Sequence, residues 1–166
     1  TFVVFDFGGG TLDISAIRLT SDESVEKRFQ VVAVKGDTAC GGADFTQRLY
    51  DYVVRETDFH GSAQEAAKLR RDCETAKIVL SKRERATVDV PDTLSLSDSE
   101  ASDSYDEPDV LPFEITRAAF IAECGELFAR VRADLAEVMD VVRVKAKGNM
   151  IDPPVAVLMV GGSSLI

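Results

Sequence analysis

The chain has 166 residues, of which 45% are hydrophobic, and a formal net charge of −10. This length and apolar content suffice for a buried core of ordinary single-domain size, and the charge argues against a nucleic-acid surface, which needs clustered Lys and Arg. There is no apolar run of eighteen residues and no signal-peptide pattern at the N-terminus, so no membrane contact is expected. Three separated cysteines without a C-x-x-C pair favour a reducing compartment, with the cytoplasm as the first choice.

Much of the negative charge lies in one segment, residues 91–109. This segment holds seven acids and no base, which leaves −3 for the rest of the chain. A segment this polar cannot bury apolar surface, so we expect an exposed loop. Two interpretations stay open. It is either a solvated insertion without function, or a regulatory loop in which Ser97 and Ser104, each with an acid three residues on, are phosphorylated.

The first forty residues predict an antiparallel strand meander. Stretches rich in Val, Ile and Phe, separated by turn-forming residues, predict strands at residues 2–5, 12–19 and 29–35. The chain opens inside a strand and stops after another one, so we expect it to be a piece of a longer protein.

The middle of the chain predicts two helices. Helical spacing of apolar residues begins after Gly41 and Gly42 and continues to about Phe59. Ser62 and Glu65 then form an S-x-x-E capping box, which predicts the start of the strongest helix. Along that helix one stripe is apolar and faces a core, while a second stripe is partly polar and comprises Glu74, Lys77, Ile78 and Ser81.

The remainder predicts two more strands, a long helical region and a last strand. Residues 84–90 and the sequence "VLPFEIT" predict strands, and Thr116 can cap a helical region that extends to about Lys147 with a break near Cys124 and Gly125. The apolar run in "PPVAVLMVGGSS" predicts a strand buried on both faces.

Glycines follow two of the predicted strands, at "DFGGGTLD" and at Gly161 and Gly162. Successive glycine amides form an anion-binding concavity, and Asp6 and Asp13 offer the carboxylate oxygens that suit hydrated Mg²⁺. Phosphate and metal are one interpretation, and a glycine-rich hairpin turn with incidental acids is the other. The chain has neither a Walker A pattern nor a G-x-G-x-x-G pattern.

Five motifs in order carry a resemblance to a known family: "FDFGGGTLDIS", "KGDTACGGADFTQRL", "LRRDCETAKIVLS", "FEITRAAF" and "VLMVGGSSLI". Together they resemble the second lobe of the ATPase domain of the seventy-kilodalton heat-shock chaperones (DnaK-type), a branch of the actin-like ATPases. The resemblance implies a mixed α/β, actin-like fold in which this chain is lobe II only. Residues 1–40 and 125–166 would form its inner subdomain, and residues 41–124 its outer, largely helical subdomain.

The same resemblance implies the site residues. The catalytic residues would be Asp6, Thr11 and Asp13, with Thr11 near the terminal phosphate and the two acids orienting hydrated Mg²⁺ and the attacking water. Nucleotide binding would fall to residues in the glycine loop, at the subdomain junction, on the helix face and in the terminal loop: Gly8, Gly9, Gly10, Thr11, Gly41, Gly42, Glu74, Lys77, Ile78, Ser81, Gly161, Gly162, Ser163 and Leu165.

Two of these positions depart from the family pattern. Arginines usually follow the position of Lys77 and lie two residues after that of Ser163, where they sandwich the adenine, but here Ile78 and Leu165 stand in their places. Aliphatic side chains exchange cation–π and stacking contacts for apolar burial. The pocket is then either repacked and working, or altered in its nucleotide use.

The implied function is half of an ATP-hydrolysing domain of a chaperone that assists protein folding, with ATP or ADP and Mg²⁺ as cofactors and K⁺ as a further candidate. The implied partners are lobe I, nucleotide exchange factors on the outer subdomain, J-domain co-chaperones, and unfolded polypeptides bound by a domain absent here. Neither nucleic acid nor membrane is among them. The fragment alone is expected to be inactive, because phosphoryl transfer needs positioning from both sides of the phosphate. The alternative is a divergent member that hydrolyses little and serves as an exchange factor or scaffold for another chaperone.

Overall fold

The computed structural model describes residues 1–19, 29–92, 110–148 and 151–166. Within them the chain is mixed α/β, as predicted. Its elements in chain order are β1 (Phe2–Phe7), β2 (Leu12–Leu19), β3 (Phe29–Asp37), α1 (Gly42–Thr57), α2 (Ala63–Leu80), β4 (Arg85–Pro91), β5 (Val110–Thr116), α3 (Arg117–Glu123), α4 (Gly125–Lys147) and β6 (Val157–Val160), followed by a short 3₁₀ turn (Gly162–Leu165).

The chain forms two compact units. The first, here called the sheet unit, comprises Thr1–Asp44 and Glu126–Leu165, and the second, the helical unit, comprises Phe45–Gly125. The first boundary between these compact units lies inside α1. The assignment of these units to the inner and outer subdomains of an actin-like lobe stays a prediction.

The sheet unit is built on a four-stranded sheet with the order β3-β2-β1-β6. β1 pairs antiparallel with β2 and β2 antiparallel with β3, so the predicted meander is confirmed, and β6 lies parallel to β1. Alternate residues of β1 and β2 are buried, and the register sets buried residues opposite each other, as in the pair Phe5 and Ile14. The opposite face of β1 and β2 therefore carries the polar residues Asp6 and Asp13.

Helix α4 is attached to β3 by charged groups. Lys35 on β3 forms ion pairs with Asp134 and Glu137 on α4, and the Arg130 guanidinium donates to both carboxylate oxygens of Asp37. These attachments are partly exposed, so their role is to hold the helix in register more than to stabilise the fold strongly.

The last strand corrects one prediction. β6 was expected to be buried on both faces, yet its four side chains are between 43% and 54% exposed. The reason is its place at the edge of the sheet, where it pairs with β1 alone among the described strands. A continuous apolar run signals burial only when another element covers it, which local sequence does not determine.

The helical unit confirms the predicted helix signals. Ser62 accepts a hydrogen bond from the Glu65 amide while the Glu65 carboxylate accepts one from the Ser62 amide, so the capping box that opens α2 is complete. Thr116 caps α3, which ends at Glu123 with Cys124 as its C-cap, and α4 begins at Gly125, as the predicted break required.

β4 and β5 form an antiparallel pair on either side of the acidic segment. The acidic loop was predicted for residues 91–109, but Pro91 is the last residue of β4. Residues 93–109, with Ser97 and Ser104, lie outside the described residues. None of the helices described here has the length and apolar character needed to cross a membrane.

Candidate functional site

The glycine loop connects β1 to β2 in the sheet unit. The Gly8 amide donates to the Thr11 carbonyl at 2.9 Å, which closes the loop, and the strand register then places Asp6 directly opposite Asp13. Both carboxylates are exposed on the face opposite the buried residues. The structure therefore brings together the two acids and the glycines that the sequence singled out.

The opposed carboxylates of Asp6 and Asp13 repel each other when no cation is bound between them. Like charges directly opposite each other on paired strands are destabilising. The Thr11 hydroxyl donates to Asp13 Oδ2 at 3.1 Å, which holds one of the two carboxylates in place. Within the described residues no group of three or more His, Cys, Asp and Glu could hold a metal ion. A pair of carboxylates nonetheless suits Mg²⁺, which is commonly held through one or two of them while it keeps its waters.

Two other glycines let neighbouring backbone approach the loop. A Cβ at Gly41 would lie 2.4 Å from the Gly10 carbonyl carbon, and one at Gly161 would lie 2.3 Å from the Phe7 carbonyl oxygen. Gly161 also has φ +84°, a conformation that disfavours any side chain. Glycine is therefore required at both positions by the packing of the chain itself.

The glycines of the loop have a different role. Gly9 and Gly10 do not adopt positive φ, and a Cβ at either would meet nothing within 4 Å. Among the hydrogen bonds of the described residues, none uses the Gly9 or Gly10 amide as donor. The loop is therefore open backbone with amide donors available to a ligand.

The start of α1 holds the loop from its carbonyl side. The Gly42 amide donates to the Gly8 carbonyl at 3.0 Å, and the Ala43 amide to the Gly9 carbonyl at 2.7 Å. The first amides of a helix lack partners within the helix, so these bonds satisfy them while leaving the loop amides unused. The Asp44 carboxylate accepts from the Gly41 amide at 2.7 Å and completes the helix start.

The terminal turn places the last predicted residues. Ser163 is buried, and Ser164 bonds the Gly161 carbonyl through its hydroxyl at 2.7 Å. Leu165, which stands where an arginine was expected, is 73% exposed. Its side chain is therefore available to cover a flat apolar surface.

The predicted face of α2 lies in the helical unit, and its residues differ in burial. Glu74 and Ile78 are exposed, Ser81 is half-buried, and the side chain of Ile78 is 55% exposed. Lys77 differs from the other members of this face, because it is only 6% exposed and its Nζ donates to the Thr46 hydroxyl at 2.9 Å. Burial lowers the pKa of Lys77, against the opposing influence of Glu74.

Sequence reasoning missed two polar contacts, one in each unit. Thr46 was not predicted to meet Lys77, and Asp37 was not predicted to meet Arg130. The sequence signals for these contacts are weak. Thr46 lies one turn into a helix among buried positions, and Asp37 lies three residues before a Cys-Gly pair. Neither position indicates a hydrogen bond until its partner is known.

The buried thiols are structural in character. Cys40, Cys73 and Cys124 are free and buried, and desolvation raises the pKa of Cys73 and of Cys124 to about 12. A thiol with such a pKa is protonated at neutral pH and therefore a poor nucleophile.

Comparison with known proteins gives consistent matches. The family model described as Hsp70 protein matches residues 1–166. Heat shock cognate 70 kDa protein 3 of Dictyostelium discoideum is 34% identical over 170 residues, which cover 99% of this chain and 24% of that protein. Chaperone protein DnaK of Buchnera aphidicola subsp. Schizaphis graminum is 40% identical over 97 residues, which cover 55% of this chain and 15% of that protein.

The chain thus spans about a quarter or less of the length of these curated relatives. The family model, by contrast, matches it from the first residue to the last, through both of the units described above. On that match, the chain belongs to the Hsp70 family.

Proposed function

We propose that this chain is the second lobe of an actin-like, ATP-binding and ATP-hydrolysing domain in a molecular chaperone. The observation that carries the proposal is the glycine loop, where unused amides and two opposed carboxylates lie on adjacent strand ends. Phosphate and a hydrated divalent cation are the ligands that such a combination suits. Family membership and the name of the relative Chaperone protein DnaK support the same interpretation.

In this proposal the loop binds the phosphates. The amides of Gly9 and Gly10 donate to phosphate oxygens, and the Thr11 hydroxyl lies beside them, within 3.1 Å of Asp13 Oδ2. Donors fixed in the fold before the ligand arrives need little reorganisation, which is the main source of catalytic stabilisation in phosphoryl transfer. The bonds from α1 to the loop carbonyls supply that rigidity.

Asp6 and Asp13 would hold Mg²⁺ through its waters, and Asp13 would also orient the attacking water. When bound, Mg²⁺ neutralises phosphate charge, and it relieves the repulsion between the two carboxylates. The bond from Thr11 fixes the position of Asp13. A K⁺ ion near the phosphates is a further element of the proposal.

The nucleoside would be bound by Glu74, Lys77 and Ser81 on α2 and by the terminal turn with Gly161, Gly162 and Ser163. Gly41 and Gly42 would lie near the phosphates. Ile78 and Leu165 would cover the base. Their exposed aliphatic surface favours burial against a flat ring. This contact lacks the charge of arginine, so we propose a repacked pocket that still binds adenine.

The intact protein would then use ATP hydrolysis to bind and release unfolded polypeptides, with lobe I completing the nucleotide site. Nucleotide exchange factors and J-domain co-chaperones would be its regulatory partners, and the cytoplasm its compartment. A weakly hydrolysing exchange factor or scaffold is not favoured, because the Hsp70 family match and the relative named Chaperone protein DnaK both favour a chaperone.

The test is equilibrium binding of ATP with Mg²⁺ to the intact protein. Asp13→Asn removes one charge of the opposed pair and should weaken Mg²⁺-dependent binding by about tenfold or more, since a charge-assisted contact contributes roughly 1.5–3 kcal/mol. Asp89→Asn is the matched control, because Asp89 is an exposed acid on β4 outside the proposed site. Equal affinity in both variants would remove the proposed metal role, and no ATP binding by the native protein would remove the proposal.

A further inference from the structure

Gly36 lies near the end of β3, at a position where the backbone does not require glycine. Its φ is not positive, so residues with a side chain can adopt the same conformation. Glycine weakens a strand, and within a strand it often marks a place that another group approaches closely. The group that approaches Gly36 is the carboxylate of Asp13, because a Cβ at Gly36 would lie 2.9 Å from Asp13 Oδ1.

The strand register shows why this space matters. Asp6, Asp13 and Gly36 lie in one row across β1, β2 and β3. Asp13 therefore has a like charge on one side and a position without a side chain on the other, and its Oδ1 extends toward the latter. Like charges on paired strands repel each other, so this arrangement lets the two carboxylates separate. The other oxygen, Oδ2, accepts from the Thr11 hydroxyl at 3.1 Å.

We propose that Gly36 is a positioning residue, which by lacking a side chain lets the Asp13 carboxylate adopt the orientation needed for cleavage of ATP. This role rests on the proposed function, in which Asp13 orients the attacking water. Gly36 touches neither the nucleotide nor that water, and it acts only through Asp13.

A methyl group at Gly36 would displace the carboxylate and leave its charge in place. The three atoms nearest to the new Cβ are Oδ1 and Cγ of Asp13 and the Leu12 carbonyl oxygen, and the last lies at 3.5 Å, an ordinary contact distance. The side chain of Asp13 is exposed and can turn aside, so the fold should tolerate the substitution. Orientation of a reacting water is less tolerant, since a displacement of about 1 Å can reduce a rate about a hundredfold.

The test measures ATP binding and single-turnover cleavage by Gly36→Ala in the intact protein with Mg²⁺. We expect cleavage of bound ATP to slow by about 10- to 100-fold, while the dissociation constant stays within about threefold of native, because the charge near the cation is kept. Val34→Ala is the matched control, since Val34 is exposed two residues earlier on the same strand, and it should keep the native rate. A native rate in Gly36→Ala, or a loss of affinity as large as the loss of cleavage, overturns the proposal.

A double variant shows whether Gly36 acts through Asp13. In the Asp13→Ala background no carboxylate is left to displace, so adding Gly36→Ala should change the cleavage rate by less than about twofold. A merely structural role for Gly36 would instead lower the rate again in that background. A further loss of about tenfold or more would therefore contradict the positioning role.

Stability gives a second readout, which needs no nucleotide. Alanine suits a strand better than glycine, so Gly36→Ala should raise the urea midpoint of unfolding in the Asp13→Ala background. With Asp13 present the gain should be smaller or absent, because the methyl group forces the carboxylate toward Asp6. A Gly36→Ala protein that folds only when Asp13 is also replaced supports the contact, whereas equal midpoint shifts in both backgrounds rule it out.

The two readouts separate this proposal from the proposed function. If the native protein cleaves no ATP while the midpoint shifts differ as expected, the proposed function fails and the positioning role fails with it, but the contact between Gly36 and Asp13 stands. If the native protein cleaves ATP and Gly36→Ala cleaves it equally fast, the positioning role alone fails.

Discussion

The glycine loop and the α2 face are built by different means. At the loop, backbone atoms pack on backbone atoms, so Gly41 and Gly161 leave no room for any side chain. On α2, the proposed contacts come from side chains, of which Ile78 is exposed and Lys77 is buried. A site made of backbone constrains its sequence through sterics, whereas a site made of side chains can be repacked by substitution.

The largest effect is expected from a side chain at Gly161, which tests whether backbone packing excludes one there. In Gly161→Val the new Cβ would clash with the Phe7 carbonyl at a residue with φ +84°. We expect the free energy of unfolding to fall by roughly 3–5 kcal/mol, as for other severe steric and backbone changes. Gly162→Ala is the matched control, since a Cβ there meets nothing within 4 Å. Urea unfolding of the two variants measures the difference, and similar stabilities would contradict the packing described.

A substitution at Gly9 separates ligand contact from packing. A Cβ at this position meets nothing within 4 Å, and the backbone needs no positive φ there. Gly9→Ala should therefore change the unfolding free energy by less than about 1 kcal/mol. It should still weaken ATP binding by about tenfold or more, because a methyl group would stand where phosphate approaches the amides. Calorimetric titration measures the change in ATP affinity, and thermal unfolding of the same preparation measures the change in stability. A variant that binds ATP like the native protein would show that Gly9 does not meet the phosphate.

Arginine substitutions at Ile78 and Leu165 test whether the side-chain part of the proposed site is repacked or impaired. The double variant Ile78→Arg and Leu165→Arg places cations at the two positions where the resemblance implies arginine. We expect a gain in ATP affinity of less than about tenfold, since a cation–π contact at an exposed site contributes roughly 0.5–1 kcal/mol. The matched controls are Ile78→Met and Leu165→Met, which add length without charge. A gain of a hundredfold or more would mean that the native pocket is impaired and not repacked.

The smallest effect is expected in the pH dependence of stability under acidic conditions. The pKa of Asp37 is lowered, first by the hydrogen bond from the Ala39 amide and also by the guanidinium of Arg130. A depressed folded pKa contributes stability above the unfolded value, which is lost as pH falls through the folded one. Asp37→Asn should therefore reduce stability modestly at pH 7 and flatten its decline below about pH 4, with Asp89→Asn unchanged. Urea midpoints between pH 2 and pH 7 measure this, and parallel curves would contradict it.

The parts predicted correctly are those that local sequence determines. The start of α2 follows from Ser62 and Glu65, the break after Cys124 from a glycine, and the β1–β2–β3 meander from alternating apolar residues and short turns. Each of these signals acts over a few residues, so the rest of the fold does not override it.

The parts that were missed depend on residues distant in sequence. The exposure of β6 depends on what covers a sheet edge, and the bond between Thr46 and Lys77 joins positions 31 residues apart. The sequence places Lys77 on one face of α2 with Glu74, Ile78 and Ser81, but it does not show that the Lys77 amino group bonds a hydroxyl on another helix. Periodicity places a side chain on a face, but tertiary contacts decide where its last atom lies.

The most direct test of the central claim is single-turnover hydrolysis of ATP with Mg²⁺ by the intact protein, with bound and cleaved nucleotide recorded together. The proposal predicts slow cleavage by the native protein, a rate reduced about a hundredfold or more by Asp13→Asn or Thr11→Val, and a native rate for Asp89→Asn. Binding without cleavage, or cleavage that is unaffected by both loop substitutions, would contradict the assignment of the glycine loop as the catalytic site.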